Sequence, residues 1–230
     1  MMESLIWRNA TRVHDWHDLR IPLRIIDAWI SLRLVAAAEW MQGSRGKQRK
    51  ISVTAEGWGD VIRNEPRGRD ERIMVFVGGS EPQPWNIAAV IFPKGVGMSL
   101  FNLTVECGGA LPSSSLMEQR FLALYSPEIV DAAYIHADPQ WKKLTADAYI
   151  PPLVTTPTFA GVFWANFLGP GHLANFDVAK LQSIEAYRTK WHGKTGLSLV
   201  SAPTLDDALT TDGEKELLRL TAEFRAAKVD

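Results

Sequence analysis

The segment 14–18 (HDWHD) contains the residue types of a metal site. Two imidazoles three residues apart, with carboxylates between and after them, are ligands that zinc and related metals accept. His136 and Asp138 could add a third group, although their spacing does not require it. A plainer interpretation is a polar segment in which Asp18 or Thr11 caps the following long helix. We favour capping and predict no metal. The alternative function is a metal-dependent hydrolase that uses His14, Asp15 and His17.

Local signatures of other catalytic sites are missing from the sequence. Cys107 ends a strand-like run just before two glycines, so a buried structural thiol is the favoured interpretation. The three serines of 113–115 are explained by helix capping, and no G-x-S-x-G motif occurs. Phosphate-binding glycine loops are also missing, and nothing pairs two carboxylates for acid–base work. The sequence therefore predicts a protein without catalytic residues or a cofactor, one that is not an enzyme.

Size and composition indicate a globular intracellular chain. It has 230 residues, a net charge of −1 and one cysteine, so no internal disulfide can form. The start of the sequence lacks a secretory signal, and charged residues interrupt the longest apolar stretch, between Leu19 and Met41. A broad nucleic-acid-binding surface would make the domain strongly basic. We expect a cytoplasmic protein that contacts neither membrane nor nucleic acid directly.

Hydrophobic periodicity predicts a long N-terminal helix. Apolar residues recur at steps of three and four from Leu19 to Met41, and a second stripe lies beside them. Pro22 suits the first turn, and Gly43 would end the helix. The width of the apolar face predicts that this helix is largely buried. The run that follows it (SRGKQRK) is interpreted as a basic, solvated loop.

Strand and helix signals alternate irregularly along the rest of the chain. Capping boxes at Ser115/Glu118 and Thr211/Glu214 predict two helix starts, and 177–190 looks helical. The predicted strands are 4–8, pieces of 51–63, 73–77, 85–92, 98–107, 130–137, 161–168 and 195–202. The pair 85–92 and 98–107 is interpreted as a hairpin. Without a regular βαβ period, we predict one α+β domain over 1–230, with a mostly antiparallel sheet and packed helices including the long N-terminal one.

The C-terminal half resembles a known class of proteins. It contains GVFWANFLGPGHLANFD (161–177), with Trp164 and Asn166, and HGKTGLSLVSAPTLDDA (192–208). An aromatic strand, a Gly-Pro turn, a connecting helix, a glycine-led apolar strand and an S-A-P step into a last helix follow in this order. This sequence is similar to the immunity proteins of bacterial polymorphic-toxin and type VI secretion systems, and most of all to immunity protein family 52.

The resemblance implies a function in binding. Such a protein binds one cognate secreted toxin, here a nuclease-type effector, and neutralises it by occluding its active site. Because a nuclease presents a basic cleft, an inhibitor gains on-rate and specificity from local acidic groups. The candidate interface residues are Glu56, Trp58, Asp60, Asp206 and Asp207, with Asp212 beside the last two. A structural adaptor of a secretion system is the other alternative, and a homodimer stays open.

Overall fold

The computed structural model describes residues 4–11, 20–35, 39–44, 47–52, 73–92, 99–106, 111–125, 130–137 and 161–229. Ten strands form one sheet in the order β3-β2-β4-β5-β6-β1-β7-β8-β10-β9, and every neighbouring pair is antiparallel. The first strand of the chain therefore lies inside the sheet, between β6 and β7. The strands are β1 (Ser4–Thr11), β2 (Glu39–Ser44), β3 (Lys47–Ser52), β4 (Ile73–Gly79), β5 (Trp85–Ile91), β6 (Ser99–Glu106), β7 (Ala132–Ala137), β8 (Ala165–Leu168), β9 (Arg188–His192) and β10 (Gly196–Val200).

Six helices accompany the sheet in the described part of the chain. They are α1 (Arg20–Ser31), α2 (Ser114–Leu124), α3 (Pro170–Leu173), α4 (Val178–Gln182), α5 (Leu205–Ala208) and α6 (Thr211–Ala226). Among the described residues, no helix combines the length and the apolar character needed to cross a membrane.

The alternation of buried and exposed residues gives the sheet two distinct faces. In β5 and β6 every second side chain is buried, as expected for strands that pack on one side. A row of directly paired residues crosses the sheet on the face that we call the core face, and none of its members is more than 1% exposed. This row consists of Val77, Ile87, Leu103, Trp7, Ile135, Ala165 and Val200.

Two helices pack on the core face around Trp7. The Trp7 ring lies 6.4 Å from Trp29 of α1 and 5.9 Å from Phe121 of α2, measured between ring centroids. The indole N–H of Trp7 donates to the hydroxyl of Tyr125 at 2.5 Å, and that hydroxyl donates to the Asn9 side chain. These hydrogen bonds satisfy three polar side chains inside an otherwise apolar layer. They also fix the position of α2 on the sheet.

The opposite face, which we call the outer face, is covered unevenly. Over β7, the Phe163 ring contacts Tyr134 at 5.2 Å and His136 at 4.9 Å. The backbone N–H of Val162 donates to the Thr221 hydroxyl, which ties this segment to α6. Over β4, by contrast, Met74 and Phe76 are 42% and 49% exposed.

The predicted fold class is wrong in its N-terminal helix. A strand, β1, precedes the helix, and α1 ends at Ser31 instead of continuing to Met41. Arg33 adopts a left-handed backbone (φ 56°), and the N–H groups of Arg33 and Leu34 return to the carbonyls of Ile30 and Trp29 at 2.8 and 3.0 Å. This hydrogen-bond pattern ends a helix. The apolar periodicity hides the break because Leu34 is still buried after it.

Several element boundaries also differ from the prediction. In the basic run after the predicted helix, Ser44 lies in β2 and residues 47–50 lie in β3, where a loop was predicted. In 177–190 only Val178–Gln182 is helical, and the segment then enters β9. Ser113 caps α2 and Thr210 caps α6, instead of Ser115 and Thr211. The hairpin of β5 and β6 is confirmed, with Ile87 paired to Leu103.

Candidate functional site

The structure describes two of the five predicted interface residues. Asp206 and Asp207 lie in α5, whereas Glu56, Trp58 and Asp60 fall in 53–72, outside the described residues. His14, Asp15, His17 and Cys107 also lie outside them. The described candidates therefore lie where α5 meets α6, in residues 204–214, which we call the acidic corner.

Two threonine caps fix the backbone of the acidic corner. The Thr204 hydroxyl accepts from the N–H of Asp207 at 3.0 Å and donates to the Asp207 carboxylate at 2.7 Å. The Thr210 hydroxyl accepts from the N–H of Gly213 at 3.1 Å and donates to the Asp207 carbonyl at 2.7 Å. Each cap satisfies an N–H at a helix start, so α5 and α6 meet in a defined geometry.

A close backbone contact seals the same corner. A Cβ on Gly213 would lie 2.7 Å from the Cα of Ala208 and would meet the Asp207 carbonyl oxygen. Only glycine allows this approach, because any side chain would have to occupy the space of the α5 backbone. The backbone that carries the acidic residues therefore has a fixed conformation before any partner binds.

The three aspartates of the corner have different surroundings. Asp207 is bonded to Thr204, and Asp212 pairs with Lys215 at 2.9 Å with both side chains largely exposed. Asp206 is exposed and has no ion pair among the described residues. All three lie in first helical turns, where the helix dipole favours negative charge. Asp206 is thus the carboxylate best placed to meet a positively charged partner.

The start of α2 adjoins the acidic corner. The Ser114 hydroxyl accepts from the backbone N–H of Leu205 at 3.1 Å, which joins the first turn of α2 to the first turn of α5. Leu116, in the same turn of α2, is 39% exposed. An exposed leucine therefore lies beside the carboxylates of the acidic corner, as where an apolar interface patch meets its polar rim.

The other end of α2 adjoins basic residues of β9. Arg188 Nε lies 2.8 Å from the Glu118 carboxylate, whose side chain is 9% exposed. Lys190 Nζ donates to the Leu122 carbonyl at 3.3 Å. These contacts join the core-face helix α2 to the last strand of the sheet.

One pair has the residue types of a nucleophile and its base. His192 Nε2 lies 2.8 Å from the Ser198 hydroxyl. Burial, and to a smaller degree the charge of Lys190, lowers the pKa of His192 below its usual value, which keeps the imidazole neutral. Ser198 is completely buried and its hydroxyl cannot meet a substrate in this conformation. The pair therefore acts as a satisfied polar contact between β9 and β10.

Metal-ligating residues do not converge in the described part of the chain. Within the described ranges, no group of three or more His, Cys, Asp or Glu side chains is arranged to hold a metal ion. His136 is completely buried, with its Nδ1 3.0 Å from the Ala137 carbonyl and its ring against Phe163. Its place in β7 is structural.

Comparison with known proteins gives a likeness in fold. No protein family and no curated protein matches the sequence, so the resemblance to immunity protein family 52 is not confirmed. The structure is similar to the Pseudomonas aeruginosa T6SS protein PA0821, with a TM-score of 0.60 and 10% sequence identity. The match covers 98% of this chain and 77% of that chain. The chain thus shares its fold with a T6SS protein over nearly its whole length.

Proposed function

We propose that this chain is an immunity protein that binds a cognate secreted bacterial toxin, a nuclease-type effector, and neutralises it by occluding its active site. The observation that carries the proposal is the fold shared with a T6SS protein over 98% of the chain. The order of motifs in 161–208, similar to toxin-immunity proteins, independently supports the same class.

The acidic corner supplies a physical basis for inhibition. Its two caps and the Gly213 contact hold Asp206 in place before any partner arrives, so binding orders few additional groups. A nuclease cleft that binds phosphate carries positive charge, and Asp206 at the corner complements it. Leu116 adds apolar area beside the charge.

Co-expression tests the proposal. The protein encoded by the neighbouring gene is expressed in a sensitive bacterium, with and without this chain, and growth is followed. We expect growth arrest by the neighbour alone and rescue by this chain. Lack of rescue, once the neighbour is known to be toxic, contradicts the proposal. Recovery of several secretion components instead of one toxin, in a pull-down, indicates a structural adaptor.

A charge reversal tests the surface. Asp206→Lys is expected to weaken toxin binding at least tenfold, a change of about 1.4 kcal/mol in binding free energy, because it places like charge against the cleft. The matched control is Asp27→Lys on α1, which is also exposed and should bind as the parent does. If both variants bind the toxin as tightly as the parent does, the acidic corner is not part of the interface, and the proposed immunity function is unaffected.

A further inference from the structure

Among the described strands, β9 forms one edge of the sheet. It pairs with β10, and no other strand pairs with it in the described ranges. In an antiparallel pair every second residue directs its backbone N–H and C=O away from the neighbour. Arg188, Thr189 and Lys190 are exposed, so these groups can be reached by an incoming chain.

The usual protection of a sheet edge is weak at β9. Natural edges are blunted by lysines that project past them, by prolines or by bulges. Here Lys190 is held on the Leu122 carbonyl and Arg188 on Glu118, so both side chains turn toward α2 on the core face. The strand sequence RTKWH has no proline, and its five residues pair with β10 without an inserted residue. Lys190, which has no ion pair among the described residues, therefore keeps a positive charge at this edge, and Arg188 adds a guanidinium shared with Glu118.

We propose that β9 is the docking edge for an extended acidic segment of the cognate toxin, which adds to the sheet as an eleventh strand. The inference rests on the proposed function, since it takes the segment to belong to the toxin. Backbone hydrogen bonds would supply affinity, as in other cases of strand addition. Acidic side chains at alternate positions would face Arg188 and Lys190 and supply specificity.

A second copy of this chain fits the edge poorly. When two β9 strands pair antiparallel about a two-fold axis, the axis must pass beside one residue, which then lies opposite its own copy. In any other register, directly opposite side chains would point to different faces of the sheet. Centring on Lys190 places Lys190 opposite its own copy, and centring on Thr189 places Lys190 opposite Arg188. Centring on Trp191 places Lys190 opposite His192, whose imidazole is neutral, so only the first two registers oppose like charges. Like charges directly opposite destabilise a pair of strands. Charge complementarity therefore favours an acidic partner.

The docking edge is continuous with the acidic corner. Ser114 at one end of α2 bonds to the start of α5, and Leu122 near the other end bonds to Lys190. Eight residues of helix separate these contacts by about 12 Å. One partner of ordinary interface size could cover both surfaces at once. It would present its basic cleft to Asp206 and its acidic segment to β9.

Amide hydrogen exchange tests the inference on the full chain. The probe is the toxin encoded by the neighbouring gene, with its catalytic activity disabled. We expect toxin binding to slow exchange of amides in 188–192 at least tenfold and to leave those of β3, at the opposite edge, unchanged. Lys190→Glu should weaken binding at least tenfold, and the exposed control Arg24→Glu should not.

Three outcomes would overturn the inference. If the toxin binds and is neutralised but amides in 188–192 exchange as before, β9 is not the docking edge and the immunity function stands. If the parent chain does not bind the toxin, the proposed function fails and this inference fails with it. If the same amides are protected without toxin, in a concentration-dependent way, a second copy occupies the edge.

Discussion

Gly213, in the first turn of α6, packs directly on the backbone of Asp207 and Ala208 in α5. The contact leaves no space for a Cβ, which would lie 2.7 Å from the Cα of Ala208. It holds together the two short segments that carry the acidic corner. A residue without a side chain thus sets how closely α6, which carries Asp212, approaches α5, which carries Asp206 and Asp207.

Gly213→Ala is expected to destabilise the protein. Glycine to alanine in a helix ordinarily gains up to about 1 kcal/mol, because alanine has the better helix propensity. Here the added methyl group forces α5 and α6 apart, and overpacking costs about 1–3 kcal/mol. Chemical denaturation of the variant and of Asp212→Ala, an exposed neighbour in the same turn, measures the effect. A gain in stability for Gly213→Ala would refute the contact.

The Thr210 cap gives a second prediction. Thr210→Ala removes the acceptor for the Gly213 N–H and the donor to the Asp207 carbonyl. Loss of such a cap costs about 0.5–2 kcal/mol. The control is Thr211→Ala, one residue further along and also exposed, which should change the unfolding free energy by less than about 0.5 kcal/mol. Equal losses for the two variants would show that Thr210 is not the cap.

The buried Tyr125 hydroxyl gives a third prediction. Tyr125→Phe removes the acceptor for the Trp7 indole N–H and the donor to Asn9, both of which are buried. Leaving such groups unsatisfied costs about 1–3 kcal/mol. Tyr187→Phe is the matched control, since Tyr187 is 48% exposed and should tolerate the change. Similar unfolding midpoints for the two variants would contradict the network.

His192 makes stability depend on pH. Its pKa in the folded state is lowered, mainly by burial and then by Lys190. In the unfolded chain the imidazole regains a pKa near 6.5, so below that pH the unfolded state binds the proton first. Stability from this residue is therefore intact above pH 6.5 and falls as the pH drops through 6.5 toward the folded pKa.

Two measurements check the titration. Proton NMR should place the imidazole pKa of His192 below 6.5. The loss of unfolding free energy between pH 7.5 and pH 5.5 should be smaller in His192→Gln than in the parent chain. A pKa at or above 6.5 would mean that the contact with Ser198 survives protonation.

Local sequence signals predicted individual strands better than the limits of helices. The hairpin of β5 and β6 was predictable because alternating burial and a glycine-containing connection leave a short-range pattern. The end of α1 was not, because Arg33 adopts a left-handed conformation that sequence propensity assigns to glycine. Leu32 and Leu34, which flank Arg33, are both buried, and this kept the helical spacing apparent.

The candidate site was predictable only in part. Asp206 and Asp207 were found as local acidic residues before a predicted helix. The role of Gly213 as their support was not, because it depends on contact between two helices. The first three residues of β9, 188–190, were predicted as helix, since RTKWH lacks apolar alternation and has a single β-branched residue, Thr189. Its pairing with β10 and its contacts with α2 are tertiary and leave no local signal.

The position of β1 inside the sheet has a consequence for biosynthesis. On a growing chain β1 emerges before either of its partners, because β6 begins at Ser99 and β7 at Ala132. Until then both of its edges are unpaired and its buried apolar residues, among them Leu5 and Trp7, face water. Exposed strands of this kind promote aggregation, and pairing between distant segments is slow. The nascent chain therefore carries this apolar segment without both of its partners until Ala137 has been synthesised.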